Sequence, residues 1–95
     1  MEITKTGAGL SLKGRVDTVT SPKLQEALAE VMPSDEQIEL DFAEVDYVSS
    51  AGLRVLLQGQ KNAQAAGKTM TLKNVSSEVM KVFDITGFSG ILTIV

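Results

Sequence analysis

Between Ile38 and Ala63 the hydrophobic pattern changes period, and the change falls on a pair of serines. Ile38, Leu40 and Phe42 alternate with Glu39 and Asp41, as a half-buried strand requires, and the strand runs on through Val45-Asp46-Tyr47-Val48. After Ser49-Ser50 the apolar positions Leu53, Leu56, Leu57 and Ala63 recur at helical spacing together with Gln60, which predicts a helix starting near Ala51. Gly67 stops that helix, and Thr69-Met70-Thr71-Leu72 returns as a strand. A strand, a helix and a strand in so short a compass imply a right-handed parallel crossover, with the helix lying on one face of a sheet.

The flanking sequence extends the unit in both directions. Leu10-Ser11-Leu12-Lys13 reads as a strand ended by Gly14, with a weaker strand over residues 1–6 hairpinned to it through Gly7-Ala8-Gly9. Ser21 reads as a cap with Pro22 at the first helical position, and Leu24, Ala27, Leu28, Val31 and Met32 form one stripe before Pro33. Ser76-Ser77-Glu78 opens a third helix whose buried face is Val79, Val82 and Phe83, and Thr86-Gly87 ends it. Ile91 to Val95 reads as a last strand. Each helix carries one apolar stripe, so the expected fold is α/β: a single mixed sheet with helices packed mainly on one face, residues 1–95 forming one domain. Leu28, Leu40, Leu56 and Val82 are expected in its core.

Composition removes several classes of function. The chain has no Cys and no His, so thiolate chemistry and a Ser-His-acid triad are both impossible within it. A hydrolase built on Ser50 is further opposed by the lack of a nucleophile-elbow glycine two positions before it. The net charge of −3, with basic residues scattered along the sequence and only 4% aromatics, argues against direct nucleic-acid binding. Nothing resembles a signal peptide or a membrane span, which makes a soluble cytoplasmic protein without membrane insertion the expectation. Asp41, Glu44 and Asp46 lie close together but lack the spacing of a calcium loop, so they read as a solvated strand end rather than a metal site. No cofactor is expected, and the oligomeric state is not legible.

The serines are the remaining chemistry. A helix start leaves N–H groups unpaired and partially positive, so a hydroxyl or a phosphate is electrostatically welcome there. The simplest role for Ser49 or Ser50 is the helix N-cap. The strand's alternation breaks at the turn and does not choose between them. Phe88, after Gly87, either covers the end of the third helix or anchors an interface.

Three segments together resemble the STAS domain family, in particular bacterial anti-sigma factor antagonists. They are Asp41-Phe42-Ala43-Glu44-Val45-Asp46-Tyr47-Val48-Ser49-Ser50-Ala51-Gly52-Leu53, Val82-Phe83-Asp84-Ile85-Thr86-Gly87-Phe88, and Gly14-Arg15-Val16-Asp17. The resemblance implies a non-enzymatic switch. The unphosphorylated protein binds an anti-sigma factor that is also a serine kinase and frees a sigma factor; phosphorylation at Ser50 releases the partner, and a serine phosphatase resets it. It places Asp17 beside Ser50 and a partner-binding face at Asp17, Ser49, Ser50, Arg54 and Phe88. Two residues depart from the family pattern: Ser49 stands where relatives often have Asp, and Arg15 where they usually have an acid. The alternative is a STAS accessory subunit or small-ligand module of a membrane transport complex.

Overall fold

A computed structural model describes residues 2–7, 9–33 and 37–95. The chain forms β1 (Glu2–Lys5), β2 (Gly9–Val16), α1 (Ser21–Val31), β3 (Gln37–Val48), α2 (Ser50–Ala65), β4 (Thr69–Lys73), α3 (Ser77–Thr86), a 3-10 turn (Phe88–Gly90) and β5 (Thr93–Ile94). The five strands lie in sequence order in one sheet. β1 runs antiparallel to β2, and every later pair is parallel, so each later strand is reached by a crossover that carries a helix.

Alternation decides which face the helices cover. Leu10, Leu12, Ile38, Leu40, Met70 and Leu72 are buried, whereas Ser11, Glu39, Asp41, Thr71 and Lys73 between them stay partly open to solvent. Onto the apolar face pack Leu24, Leu28 and Val31 of α1, Leu53, Leu56 and Ala63 of α2, and Val79 and Phe83 of α3. The Phe83 ring meets Phe42 at 6.4 Å between centroids with the planes tilted by 57°. Gly59 marks the close approach of α2, where an added Cβ would stand 3.1 Å from both Leu28 Cδ1 and Met70 Sδ. The Lys68 ammonium donates to the Met32 carbonyl, satisfying an open acceptor at the end of α1.

Tertiary context overrides local pattern at several points. Leu28, Leu40 and Leu56 are in the core as expected, but Val82 is only half-buried, because Val79 and Phe83 point into the core and Val82 falls at the edge of that stripe. Gly14 does not end β2. It sits inside the strand at φ 105° beside a register shift, so the strand continues to Val16. α1 is capped at Thr20 rather than Ser21, which becomes the first helical residue with Pro22 next. The last strand shrinks to Thr93–Ile94 because the turn at Phe88–Gly90 uses the preceding residues. The hairpin turn expected at Gly7-Ala8-Gly9 includes Ala8, which lies outside the described residues; Gly9 itself belongs to β2.

Candidate functional site

The site is built where β2 and β3 end side by side, and two irregularities in β3 aim it. From Ser11↔Asp41 to Lys13↔Glu44, β2 advances two residues while β3 advances three; from Gly14↔Val45 to Arg15↔Tyr47, β2 advances one and β3 two. β3 therefore carries an extra residue at two places, and its buried positions fall at Phe42, Val45 and Val48, three apart instead of two. Asp41 Oδ1 accepts from the Ala43 N–H at 2.9 Å and from Asn74 Nδ2 at 3.1 Å, supporting the first bulge. The Ala43 N–H holds the Asp41 carboxyl below its ordinary value, with Asn74 and Lys73 adding to the effect against desolvation. That is a structural use for one member of the acidic trio. Among the described residues no group of His, Cys, Asp or Glu is placed to hold a metal ion.

The second bulge sets Tyr47 opposite Arg15 and Val48 opposite Val16. The Arg15 guanidinium lies 4.3 Å from the centre of the Tyr47 ring, and its Nε is 3.8 Å from Asp17 Oδ2. Beyond Val16 the chain turns on Asp17. Its Oδ1 accepts from the N–H groups of Val19 and Thr20, each at 3.0 Å, and its own N–H donates to Thr20 Oγ1 at 2.9 Å. The Thr20 hydroxyl is shared between the Arg15 carbonyl at 2.6 Å and Asp17 Oδ1 at 3.1 Å, and the Ser21 hydroxyl donates to the Asp17 carbonyl. The Thr20 N–H chiefly holds the Asp17 carboxyl below the ordinary aspartate value, against the opposing push of desolvation. Asp17 thus organises the loop that precedes α1, leaving Val19 almost fully exposed at its tip.

Ser49 is tied to this loop through the backbone, since its N–H donates to the Val16 carbonyl at 2.8 Å. It is also the N-cap of α2: its extended backbone turns the chain, and its Oγ accepts from the Gly52 N–H at 3.3 Å. With the cap assigned to Ser49, Ser50 becomes the first residue of the helix and is exposed. The side-chain hydrogen bonds at this end engage Asp17, Thr20, Ser21 and Ser49; among the described residues none uses the Ser50 hydroxyl. Gly52 lets α2 start this close to β2. A Cβ there would stand 2.7 Å from Val16 Cγ1 and 2.8 Å from the Val16 carbonyl oxygen. Arg54 is exposed on the same helix, one turn beyond Ser50.

The model of the "Mlab, STAS domain" family matches residues 1–94, the whole of this architecture. The chain belongs to the STAS domain family. An anti-sigma-B factor antagonist of Listeria monocytogenes is 37% identical to this STAS domain over 83 residues, covering 85% of the chain and 72% of the relative. In fold the domain is similar to an anti-sigma factor antagonist from Mycobacterium paratuberculosis, with a TM-score of 0.83 at 19% identity over 98% of this chain and 81% of the other. It is also similar to the anti-sigma factor antagonist SpoIIAA of Bacillus. The TM-scores are 0.74 for its unphosphorylated form (15% identity, 99% of this chain and 86% of the other) and 0.73 for its phosphorylated form (16% identity, 99% and 89%).

Four of the five residues singled out in the sequence, Asp17, Ser49, Ser50 and Arg54, come to the β2–β3 end of this STAS domain through the Val16–Ser49 hydrogen bond and the first turn of α2. Phe88 does not join them. Its turn leads into β5, beyond β4 from β3 and entered from the opposite end of the parallel strands, and the half-buried ring packs against the core. Three residues that local pattern passed over do belong to the end: Tyr47 beneath Arg15, Val19 at the loop tip, and Gly52 as the contact between α2 and Val16. For β3, the pairs Ala43-Glu44 and Asp46-Tyr47, each carrying one carboxylate and set between large apolar residues three apart, were the available signal.

Proposed function

We propose that this STAS domain is an anti-sigma factor antagonist whose binding face is switched by phosphorylation of Ser50. One observation carries the reading: Ser49 is consumed as the helix cap, which leaves Ser50 as the exposed hydroxyl at the head of α2, beside the Asp17 loop. The names of the relatives supply the kind of partner, an anti-sigma factor, and the reading assigns the encounter to the cytoplasm. The face comprises Asp17, Ser49, Ser50 and Arg54, with Val19 as its apolar point.

In the reaction, Ser50 Oγ forms a bond to the γ-phosphorus of ATP bound by a serine kinase, the bond from that phosphorus to the bridging oxygen breaks, and ADP leaves. The hydroxyl proton passes to the kinase. Asp17 acts by positioning: its Oδ1 holds the loop beside Ser50 through the Val19 and Thr20 N–H groups. The product carries about −1.5 to −2 additional charge at neutral pH, on a helix start that tolerates it. Against a partner surface that charge must be desolvated; a loss of about 2.8 kcal/mol weakens binding about a hundredfold. A phosphatase restores the hydroxyl by hydrolysis.

The test is phosphate uptake from ATP in the presence of the cognate kinase. Wild type and Ser49→Ala should each take up one phosphate, and Ser50→Ala none while still binding the partner. Phosphate mapped to Ser49 alone would refute the assignment.

A further inference from the structure

The chain has two arginines, Arg15 and Arg54, and the fold brings both to the end that carries Ser50. They are in different states. Arg15 is committed, stacked on Tyr47 and near the Asp17 carboxylate. Arg54 is exposed, and among the described residues the ion pairs are Arg15 with Asp17 and Lys73 with Glu39, so no carboxylate neutralises Arg54. Its neighbours one turn away on α2, Ser50, Ala51, Leu57 and Gln58, carry no charge either.

Helix geometry selects the anion this free guanidinium can meet. Residues four apart share a face, and helical side chains lean toward the N-terminus, so the face Arg54 shares with Ser50 puts the turn that begins at Ser50 within the guanidinium's reach. An anion N-terminal to a cation at that spacing is the favourable order. A guanidinium also offers two parallel N–H donors that match a phosphate's oxygens.

We infer that Arg54 is the internal counter-ion of the phosphorylated switch, gripping a phosphate on Ser50 through its guanidinium. This rests on Ser50 being the acceptor, and it changes what phosphorylation does. Modification adds negative charge to the face and at the same time withdraws the one uncommitted arginine from the partner. Arg15, held by Tyr47 and Asp17, stays where it is.

The test needs neither kinase nor partner. Phosphoserine is installed at residue 50 during translation, and its second ionisation is followed by phosphorus NMR in wild type, Arg54→Gln, Arg54→Lys and Arg15→Gln, with the Arg54 Nε–H signal recorded alongside. The wild-type phosphate should titrate lower than that of Arg54→Gln by roughly half a unit to one unit, as an exposed contact with opposite charge gives. Arg54→Lys should fall between them, Arg15→Gln should stay near wild type, and the Arg54 Nε–H signal should move when the phosphate is present. Identical titration in wild type and Arg54→Gln would overturn the inference, as would a shift that depends on Arg15 instead. A kinase that ignores Ser50 would sink the switch reading while leaving this result unaffected, so the two failures are distinguishable.

Discussion

Two glycines of α2 provide a sharp check on how the site is held, because alanine should act oppositely at each. At Gly52 an added methyl would stand 2.7 Å from Val16 Cγ1 and 2.8 Å from the Val16 carbonyl oxygen, and Val48 Cγ1 closes a third side at 3.1 Å. The carbonyl is backbone, already accepting from Ser49, so relief requires the first turn of α2 to lift away from β2. Overpacking of this kind costs about 1–3 kcal/mol, and the better helix propensity of alanine returns up to ~1 kcal/mol. A net loss of about 1–2 kcal/mol lowers the melting temperature of a domain this size by at least about 4 °C. At Gly59 the contacts are the movable ends of Leu28 and Met70 at 3.1 Å, so the propensity gain should leave Gly59→Ala at or slightly above wild type. Thermal melts by circular dichroism give both numbers, and amide spectra should place the Gly52→Ala shifts at Val16 to Val19 and Val48 to Leu53. A Gly52→Ala protein that melts with or above wild type, or a Gly59→Ala protein that loses more, would refute the close-approach argument.

Leu56→Ala removes a fully buried side chain between α2 and the sheet and should cost roughly 2–5 kcal/mol in urea unfolding; an unchanged midpoint would put Leu56 on the wrong face. Among the described residues Gln60 Oε1 is buried without a hydrogen-bond partner, so Gln60→Met should raise the urea midpoint, and a clear fall would mean that the amide is satisfied. Asp17 and Asp41 have carboxyls held below the ordinary value, so the unfolded chain binds protons more readily. Their stabilisation is complete above the ordinary aspartate range near about pH 4 and is lost as pH falls through the folded values. Asp17→Asn keeps an oxygen for the Val19 and Thr20 N–H groups and should lose less stability at neutral pH than Asp17→Ala, while flattening part of the acid decline; equal losses would count against the loop-organising role.

The elements were legible where side-chain order is local. The strand that gives way to helical spacing at Ser49-Ser50, and the stripes of Leu24 to Val31 and Leu53 to Ala63, depend on neighbours within a turn or two, and the fold keeps them. Long-range pairing supplies the rest. Arg15 meets Tyr47 only through the β2–β3 register, and that register shifts at two bulges that break simple alternation. Gly14 reads as a terminator by propensity and proves to be a mid-strand residue because β3 continues to hydrogen-bond beside it. Ser49 and Ser50 could not be told apart by pattern; the cap bond to Gly52 separates them, and it exists because α2 is seated against Val16. Local reasoning left two roles open for Phe88, and only the order of the strands sets it at the entry to β5, away from Ser50.

In the proposed switch, phosphate on Ser50 turns binding off without unfolding the domain. Its most direct test is the affinity of the cognate anti-sigma factor, by calorimetry, for the unmodified protein and for protein carrying phosphoserine at 50, each shown folded by its melt. The modified protein should form a complex weaker by about a hundredfold or more, a loss of about 2.8 kcal/mol, with its melting transition retained. Equal or tighter binding by the phosphorylated form would contradict it.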